Sequence, residues 1–400
     1  MIREESQLAL NGAEPVRKKM LPYGRQSVND TDISAVIEVL NSDFLTTGSK
    51  IGEFESAVCK FTGAKNAVAV NSGTAALHAA MFALKIENGD EVIIPPITFA
   101  ATANCVLYQG GTPIFADVDA GTLLIDPAKV DALITPRTKA VIAVDYAGQP
   151  CDYEQLRAIC DKHGLALVAD ACHSIGATYQ ERNVGTLADL TCLSFHPVKH
   201  ITTGEGGMTL TDNVKLADRM RRFRNHNISA DSRQREEAGS WYYEIVDLGY
   251  NYRITDFQCA LGMSQLSKLK DWVIKRQKIA RQYDDVFESS DLLRPLSLKS
   301  NRTNAYHLYV IALNLDSLRV DRKVIFSALR AEGIGVNVHY IPVHMHPFYQ
   351  DKLGTYNGQC PISEAAYEEI ISLPMFPLMG DDDVDSVIEA VQKVVETYAK

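Results

Sequence analysis

The chain predicts an α/β protein built on a mostly parallel sheet with helices on both faces. Three observations carry this expectation. From residue 66 to about residue 210, short apolar runs alternate with helix-patterned segments of crossover length. The runs lack the in–out alternation of a strand with one wet face, so both of their faces should be buried. At 400 residues the chain also exceeds one typical hydrophobic core, so a second unit is expected.

Residues 1–27 read as an irregular arm, broken by Pro15, Pro22 and Gly24. Asn29 or Asp30 can cap a first helix, DISAVIEVLNS, and GEFESAVCKFTG forms a second that Gly63 ends. NAVAVNSG then leads into the helix TAALHAAMFAL, and EVIIPP into TFAATANCVLYQG. TPIFADVD, a helix near 127–134, KAVIAVDYAG, a helix near 152–163, LALVAD, LTCLSF and GGMTLT follow. After 211 the pattern turns helical through DNVKLADRMRRFRNHN and passes a polar loop at 228–240. A single long amphipathic helix, ending at KIARQYDDVF, should then bridge two domains. HLYVIAL, a helix near 321–332 and VNVHY predict a small α+β domain, closed by the helix DDVDSVIEAVQKVVETYAK. The expected division is an arm at 1–27, a large domain at 28–265, and a bridging helix with the small C-terminal domain at 266–400.

Hydrophobic residues make up 46% of the chain and charged residues 22%, the mix of an ordinary folded protein. The net charge of -10 comes from charges spread along the chain with no basic block, which argues against nucleic acid and anionic membrane as partners. A local basic pocket for a phosphate stays open. The eight cysteines form no C-x-x-C pair and mostly sit among apolar residues, the usage of a cytoplasmic protein with reduced thiols. MIREESQLAL has acidic residues and no long apolar core, so no secretory signal is expected. No run reaches the roughly 20 apolar residues of a membrane span, and no metal site is expected.

Parallel sheets hold their ligands at the carboxyl ends of their strands. There SFHPVKHITTGEGG, residues 194–207, places Lys199 in a loop bordered by hydroxyls and by Gly204, Gly206 and Gly207. LALVAD ends in the carboxylate of Asp170. A lysine and an aspartate at such a rim suit pyridoxal phosphate: the amine forms the Schiff base, and the carboxylate keeps the pyridine nitrogen protonated. NSGT, at 71–74, opens a helix, where the amides of Thr74 and Ala75 and the Thr74 hydroxyl can hold a phosphate. An ordinary N-cap explains the same residues. Phe99 can lie against an aromatic cofactor or be a core side chain, and His173 can orient Asp170, face the ring, or be a core contact.

The runs LTTGSKIGEFE, NSGTAAL, PPITFAATANCVLYQGGTPIFADVD, VDYAGQP, DACHSIGA, SFHPVKHITTGEGG, GYNYRITDFQCALG and VHYIPVH occur here in order. On them the chain resembles the DegT/DnrJ/EryC1/StrS sugar aminotransferases, from about Tyr23 to the C-terminus. The resemblance implies the fold type I of pyridoxal-phosphate transferases: a mostly parallel seven-stranded sheet in a large domain, and a small C-terminal α+β domain. It implies Lys199 as the cofactor-bonded lysine, Asp170 as partner of the pyridine nitrogen, Phe99 as the stacked aromatic and His173 beside it. Thr74, Ala75 and Ser194 match the phosphate cradle, and Asn251 matches an asparagine that reaches it from the second subunit of a homodimer. GYNYRITD lies too far along the chain to be a local part of the NSGT turn. His339 and Tyr340 fall where the nucleotide sugar is approached. VDYAG, SFHPVKHITTGEGG and RNHN most resemble the branch of pseudaminic acid synthesis, which implies L-glutamate as donor and a UDP-linked 4-keto-6-deoxy sugar as acceptor. Relatives that dehydrate carry histidine in place of the lysine; Lys199 disfavours that branch. The departures are a longer stretch before Tyr23 and a charged insert, DSRQREE.

Overall fold

The computed structural model describes residues 4–230, 235 and 239–400. The expected strands form: β1 (Asn66–Val70), β2 (Glu91–Ile94), β3 (Thr112–Phe115), β4 (Thr138–Val144), β5 (Ala166–Asp170), β8 (Leu190–Ser194) and β9 (Gly207–Thr211), with a small β6–β7 hairpin (Thr178–Tyr179 and Arg182–Asn183) between β5 and β8. The sheet order is β1-β9-β8-β5-β4-β2-β3, with β9 the one strand antiparallel to its neighbours. Successive side chains on a strand point to opposite faces, and each face has its own core. Ala67, Ala69, Ile93, Val141, Leu167 and Ala169 join one cluster. Val68, Val70, Val92, Ile94, Ala140, Ile142 and Val168 join another. This two-sided burial is why the strands read as unbroken apolar runs.

The helices of this part are α1 (Asp30–Leu40), α2 (Ser49–Thr62), α3 (Gly73–Ala83), α4 (Ala100–Tyr108), α5 (Pro127–Ala132), α6 (Tyr153–His163), α7 (Val214–Phe223) and α8 (Asp256–Leu266). Asn29 caps α1 in a reciprocal box with Asp32, and Gly63 ends α2 in the left-handed conformation, φ 89°. The expected single long helix is two. It breaks after α8, and α9 (Leu269–Phe287) follows Lys268, whose Nζ is 2.6 Å from Asp32 Oδ1. Ser267 Oγ donates to the Ser264 carbonyl at the break. The break lets α8 lie on α1 and α2 while α9 leaves for the second unit. Leu269, Trp272 and Val273 stay in the large-sheet core, and Ile279, Ala280, Tyr283 and Phe287 enter the next.

That next core lies under an antiparallel sheet of β10 (Leu293–Pro295), β11 (Tyr309–Leu313) and β12 (Ile370–Leu373), with α10 (Arg322–Ala331) and α13 (Asp381–Thr397) against it. VNVHY is not one of its strands. It makes a lone bridge, Asn337 to Ser372, before turning toward the large sheet. The sequence reading also passed over α11 (Pro347–Leu353) and α12 (Pro361–Glu369). The arm is irregular yet anchored. Leu8 is fully buried in this core, and the amides of Ala9 and Val16 donate to the buried Glu332 carboxylate, which also pairs with Lys393 at 2.9 Å. The insert DSRQREE lies outside the described residues except for Arg235. Among the described residues no helix is long and apolar enough to cross a membrane.

Candidate active site

A cavity of about 700 Å³ opens at the carboxyl ends of β1, β4, β5 and β8. Its wall includes Asn71, Ser72, Gly73 and Thr74 from the start of α3, Thr98 and Phe99 before α4, Asp170, Cys172 and His173 after β5, and Ser194, His196, Lys199 and Glu205 around the β8–β9 loop. The second unit supplies His307, His339 and Tyr340, and the arm supplies Tyr23. Eight of the ten site residues named from the sequence thus converge here: Thr74, Phe99, Asp170, His173, Ser194, Lys199, His339 and Tyr340. Ala75 and Asn251 do not line the cavity.

The local chemistry explains each position. Ser72 caps α3, its Oγ accepting from the Ala75 amide at 3.0 Å, so Ala75 has already committed its donor. The amides of Gly73 and Thr74 have no intrahelical acceptor and remain for an anion. Gly73 is needed because a Cβ would stand 2.9 Å from Ser194 Cβ, and a Cβ on Gly207 would strike the Ser72 backbone. These two close approaches bring the helix terminus down onto Ser194.

Asp170, 6% exposed, ends β5 with both oxygens engaged: Oδ2 accepts from Thr102 Oγ1 at 2.8 Å and Oδ1 from the Cys172 amide at 3.4 Å. Thr98 Oγ1 backs Thr102 at 2.7 Å. The carboxylate is therefore fixed in place with no ion pair among the described residues. His173 does not bond to it. Its Nε2 meets the Tyr340 hydroxyl at 3.3 Å, and its ring lies 4.3 Å from that of His307. Phe99 is 62% exposed at the cavity and 6.2 Å from the Tyr340 ring, which excludes the core reading. His339 is held by Ser372 Oγ at 2.9 Å, and its carbonyl accepts from the Tyr146 hydroxyl.

Lys199 is half-buried, with Nζ 3.5 Å from His307 Nε2. Burial lowers its pKa from the ordinary lysine value, against the opposing pull of Cys172 and Asp170. Much of the polarity around it braces the loop: Thr202 Oγ1 donates to the Phe195 carbonyl and accepts from the Gly204 amide, and Thr203 Oγ1 donates to the Glu205 carbonyl. Gly204 supplies a left-handed turn at φ 82°. His196 and Glu205 are left exposed.

The GYNYRITD segment departs from expectation. In its own protomer it abuts the NSGT turn, the Asn71 amide donating to the Tyr252 carbonyl at 2.9 Å and Asn71 Nδ2 to the Asn251 carbonyl at 3.4 Å. Stacking of Tyr250 on Tyr252, and His78 Nδ1 at 3.0 Å from the Tyr252 hydroxyl, bring these distant residues together. Asn251 itself is exposed. Sequence reasoning also missed His307, Tyr23, Thr98 and Thr102. The first two reach the cavity from other units, and the threonines sat within a run read as strand, turn and helix.

The cavity thus offers an amine, a buried carboxylate, an exposed aromatic ring and a helix terminus with uncommitted amides. The Nδ1 atoms of His173 and His307 are buried on its floor without a hydrogen-bond partner among the described residues. This set fits pyridoxal phosphate, which needs a primary amine, an anion at its ring nitrogen, an apolar face and a phosphate site.

A profile described as the DegT/DnrJ/EryC1/StrS aminotransferase family matches residues 26–392. Among curated proteins, the spore coat polysaccharide biosynthesis protein SpsC of Bacillus subtilis is 43% identical over 382 residues, covering 95% of this chain and 98% of SpsC. Among solved structures, Helicobacter pylori PseC, an aminotransferase involved in the biosynthesis of pseudoaminic acid, aligns with a TM-score of 0.88 at 34% identity over 95% of this chain and 100% of that one. The putative sugar aminotransferase Spr1654 of Streptococcus pneumoniae, solved in a PMP-form, aligns with a TM-score of 0.89 at 30% identity over 94% of this chain and 99% of that one. The chain belongs to the DegT/DnrJ/EryC1/StrS aminotransferase family and is a pyridoxal-phosphate-dependent aminotransferase of fold type I.

Proposed function

We propose that the protein transfers the amino group of L-glutamate to the C4 ketone of UDP-2-acetamido-2,6-dideoxy-β-L-arabino-hex-4-ulose. The products are UDP-4-amino-4,6-dideoxy-N-acetyl-β-L-altrosamine and 2-oxoglutarate, so the enzyme is the corresponding altrosamine transaminase. The coarser statement, amination of a nucleotide-sugar ketone, is the activity of its family. The observation that carries the reading is the meeting of Lys199, Asp170 and the α3 terminus around one cavity. Likeness to PseC and the runs VDYAG, SFHPVKHITTGEGG and RNHN support the choice of sugar. The alternative reading is a related aminotransferase acting on a UDP-D-xylo 4-ketosugar or GDP-4-keto-6-deoxymannose; the 43% identity to SpsC, a spore coat polysaccharide biosynthesis protein, favours neither sugar.

In this reading Gly73, Thr74 and Ser194 hold the cofactor phosphate, while Phe99 and His173 flank its ring. The Ala75 amide joins the phosphate only by leaving Ser72. Bound pyridoxal phosphate supplies an electron sink for the charge left when the donor's Cα loses its proton. Lys199 takes that proton and redelivers it, a task for which a buried amine of lowered proton affinity is suited. Asp170, fixed by Thr102 and the Cys172 amide, stands as the anion at the ring nitrogen. The second half runs in reverse on the ketosugar, with His339 and Tyr340 at the sugar.

The division at 27 and 265 stands as part of the same proposal, as does a homodimer in which Asn251 completes the partner's phosphate site. Large exposed apolar side chains support the dimer: Trp241, Ile245 and Leu248 precede Asn251, and Phe44 and Leu45 precede α2. A cytoplasmic location is supported by eight cysteines that are all free. The test of substrate supplies L-glutamate with each of the three ketosugars and follows 2-oxoglutarate release. Preference for the L-arabino sugar supports the assignment; clear preference for the GDP-linked sugar overturns it.

A further inference from the structure

His307 comes from the loop before β11, and its Nε2 stands 3.5 Å from Lys199 Nζ. Its backbone is pinned from α9: the buried Arg276 donates through Nη1 to the carbonyls of Tyr306 at 3.0 Å, His307 at 3.4 Å and Met375 at 2.9 Å. The residue is 6% exposed, and Nδ1 has no hydrogen-bond partner among the described residues. His173, His200 and His344 leave Nδ1 without a partner in the same way; what sets His307 apart is that its other nitrogen meets the reactive amine.

The groups facing the Lys199–His307 pair come from every element around it. Asp170 ends β5, Cys172 and His173 follow it, His200 adjoins the lysine, Arg276 lies on α9, and His339 approaches from the loop before α11. Burial pushes the His307 pKa well below the usual imidazole value, and the positive charges of Lys199 and Arg276 act in the same direction. The ring that meets Lys199 is therefore neutral. An amine bears hydrogen in both of its charge states, so Nζ can donate in either, and Nε2 can accept when the ring proton sits on Nδ1.

We propose that His307 is a positioning residue for Lys199: its Nε2 accepts a hydrogen bond from Nζ and holds the amine at the cavity floor whenever it is free. The inference rests on the reading of Lys199 as the lysine that bonds the cofactor. A long, flexible side chain that must leave and return in each half-reaction gains from a fixed acceptor at its resting place.

The test compares His307→Phe, His307→Asn and His307→Gln with the wild type. Glutamine can present an acceptor near the Nε2 position, whereas asparagine ends short of it and phenylalanine has none. In the cofactor-free proteins, the pH dependence of Lys199 labelling by an amine-selective reagent, read by peptide mass, reports its proton affinity. An acceptor favours the ammonium form, so H307F and H307N should lower that affinity about tenfold and H307Q should keep it near wild type. With cofactor bound, kcat should fall about tenfold in H307F and H307N, with KM for the amino donor unchanged, and recover in H307Q. If H307F does not fold, H307N carries the comparison. Unmoved or raised proton affinity in H307N, or equal damage from all three, overturns the proposal. Borohydride fixation of the wild-type cofactor separates the two claims. An adduct on another lysine defeats the reading of Lys199, whereas an adduct on Lys199 with unmoved affinity in H307N defeats only the role of His307.

Discussion

At the scale of single residues, the site turns on a carboxylate held by hydrogen bonds, with no ion pair among the described residues. Asp170 keeps its place through Thr102 and the Cys172 amide, so replacing it with asparagine preserves the shape and removes the charge. D170N should fold normally and lose turnover by about 100-fold or more, the scale for deleting one preorganised electrostatic contact. Near-wild-type kcat in D170N would mean that the charge at the ring nitrogen comes from another group. Asp170 was legible in the sequence because it closes an apolar run with a residue type that burial penalises, and Lys199 because it stands in a loop bordered by hydroxyls and glycines. His307 was not legible. It sits 108 residues from Lys199, and only the docking of the second unit brings the two together. Ala75 shows the opposite error: its position at the helix entrance was right, but the Ser72 cap that occupies its amide is a matter of rotamer.

At the scale of elements, periodicity revealed the seven main strands and the flanking helices, because two-sided burial leaves an unbroken apolar signal. It failed where tertiary contacts decide. The break at Ser267 and Lys268 has no proline or glycine to announce it and depends on Asp32, more than 230 residues earlier in the chain. VNVHY has strand composition yet spends its backbone on a single bridge, since its role is to carry His339 and Tyr340 to the cavity. The arm is the clearest element-scale test. Leu8 is fully buried in the small-sheet core, so Leu8→Ala should lower the unfolding free energy by about 2–4 kcal/mol, the usual cost of such a cavity. Denaturant titration gives the value; a change within error would mean the arm is not part of that core in solution.

At the scale of the whole molecule, the buried histidines couple stability to pH. Burial holds His78 and His339 at about 4, and His173, His200 and His307 well below the usual value. In the unfolded chain they titrate near 6.5, so between roughly pH 6.5 and 4 the unfolded state binds protons that the folded state refuses. Stability is then full above that window and falls as pH drops through it, by about 3 kcal/mol for each of His78 and His339. The melting temperature at about pH 5 should lie several degrees below that at about pH 7.5. An equal or higher value would contradict the buried neutral assignment. The central claim, that one cavity around Lys199 performs amino transfer, is tested most directly without any acceptor sugar. Cofactor-loaded wild-type protein and Lys199→Ala are each mixed with L-glutamate, and 2-oxoglutarate is measured together with the visible absorbance of the cofactor. The wild type should release 2-oxoglutarate in proportion to its sites and lose the visible band. K199A, still binding cofactor through the phosphate site, should be slowed by about 100-fold or more. Release from K199A at the wild-type rate, or a wild type that keeps its cofactor and forms no 2-oxoglutarate, would contradict the claim.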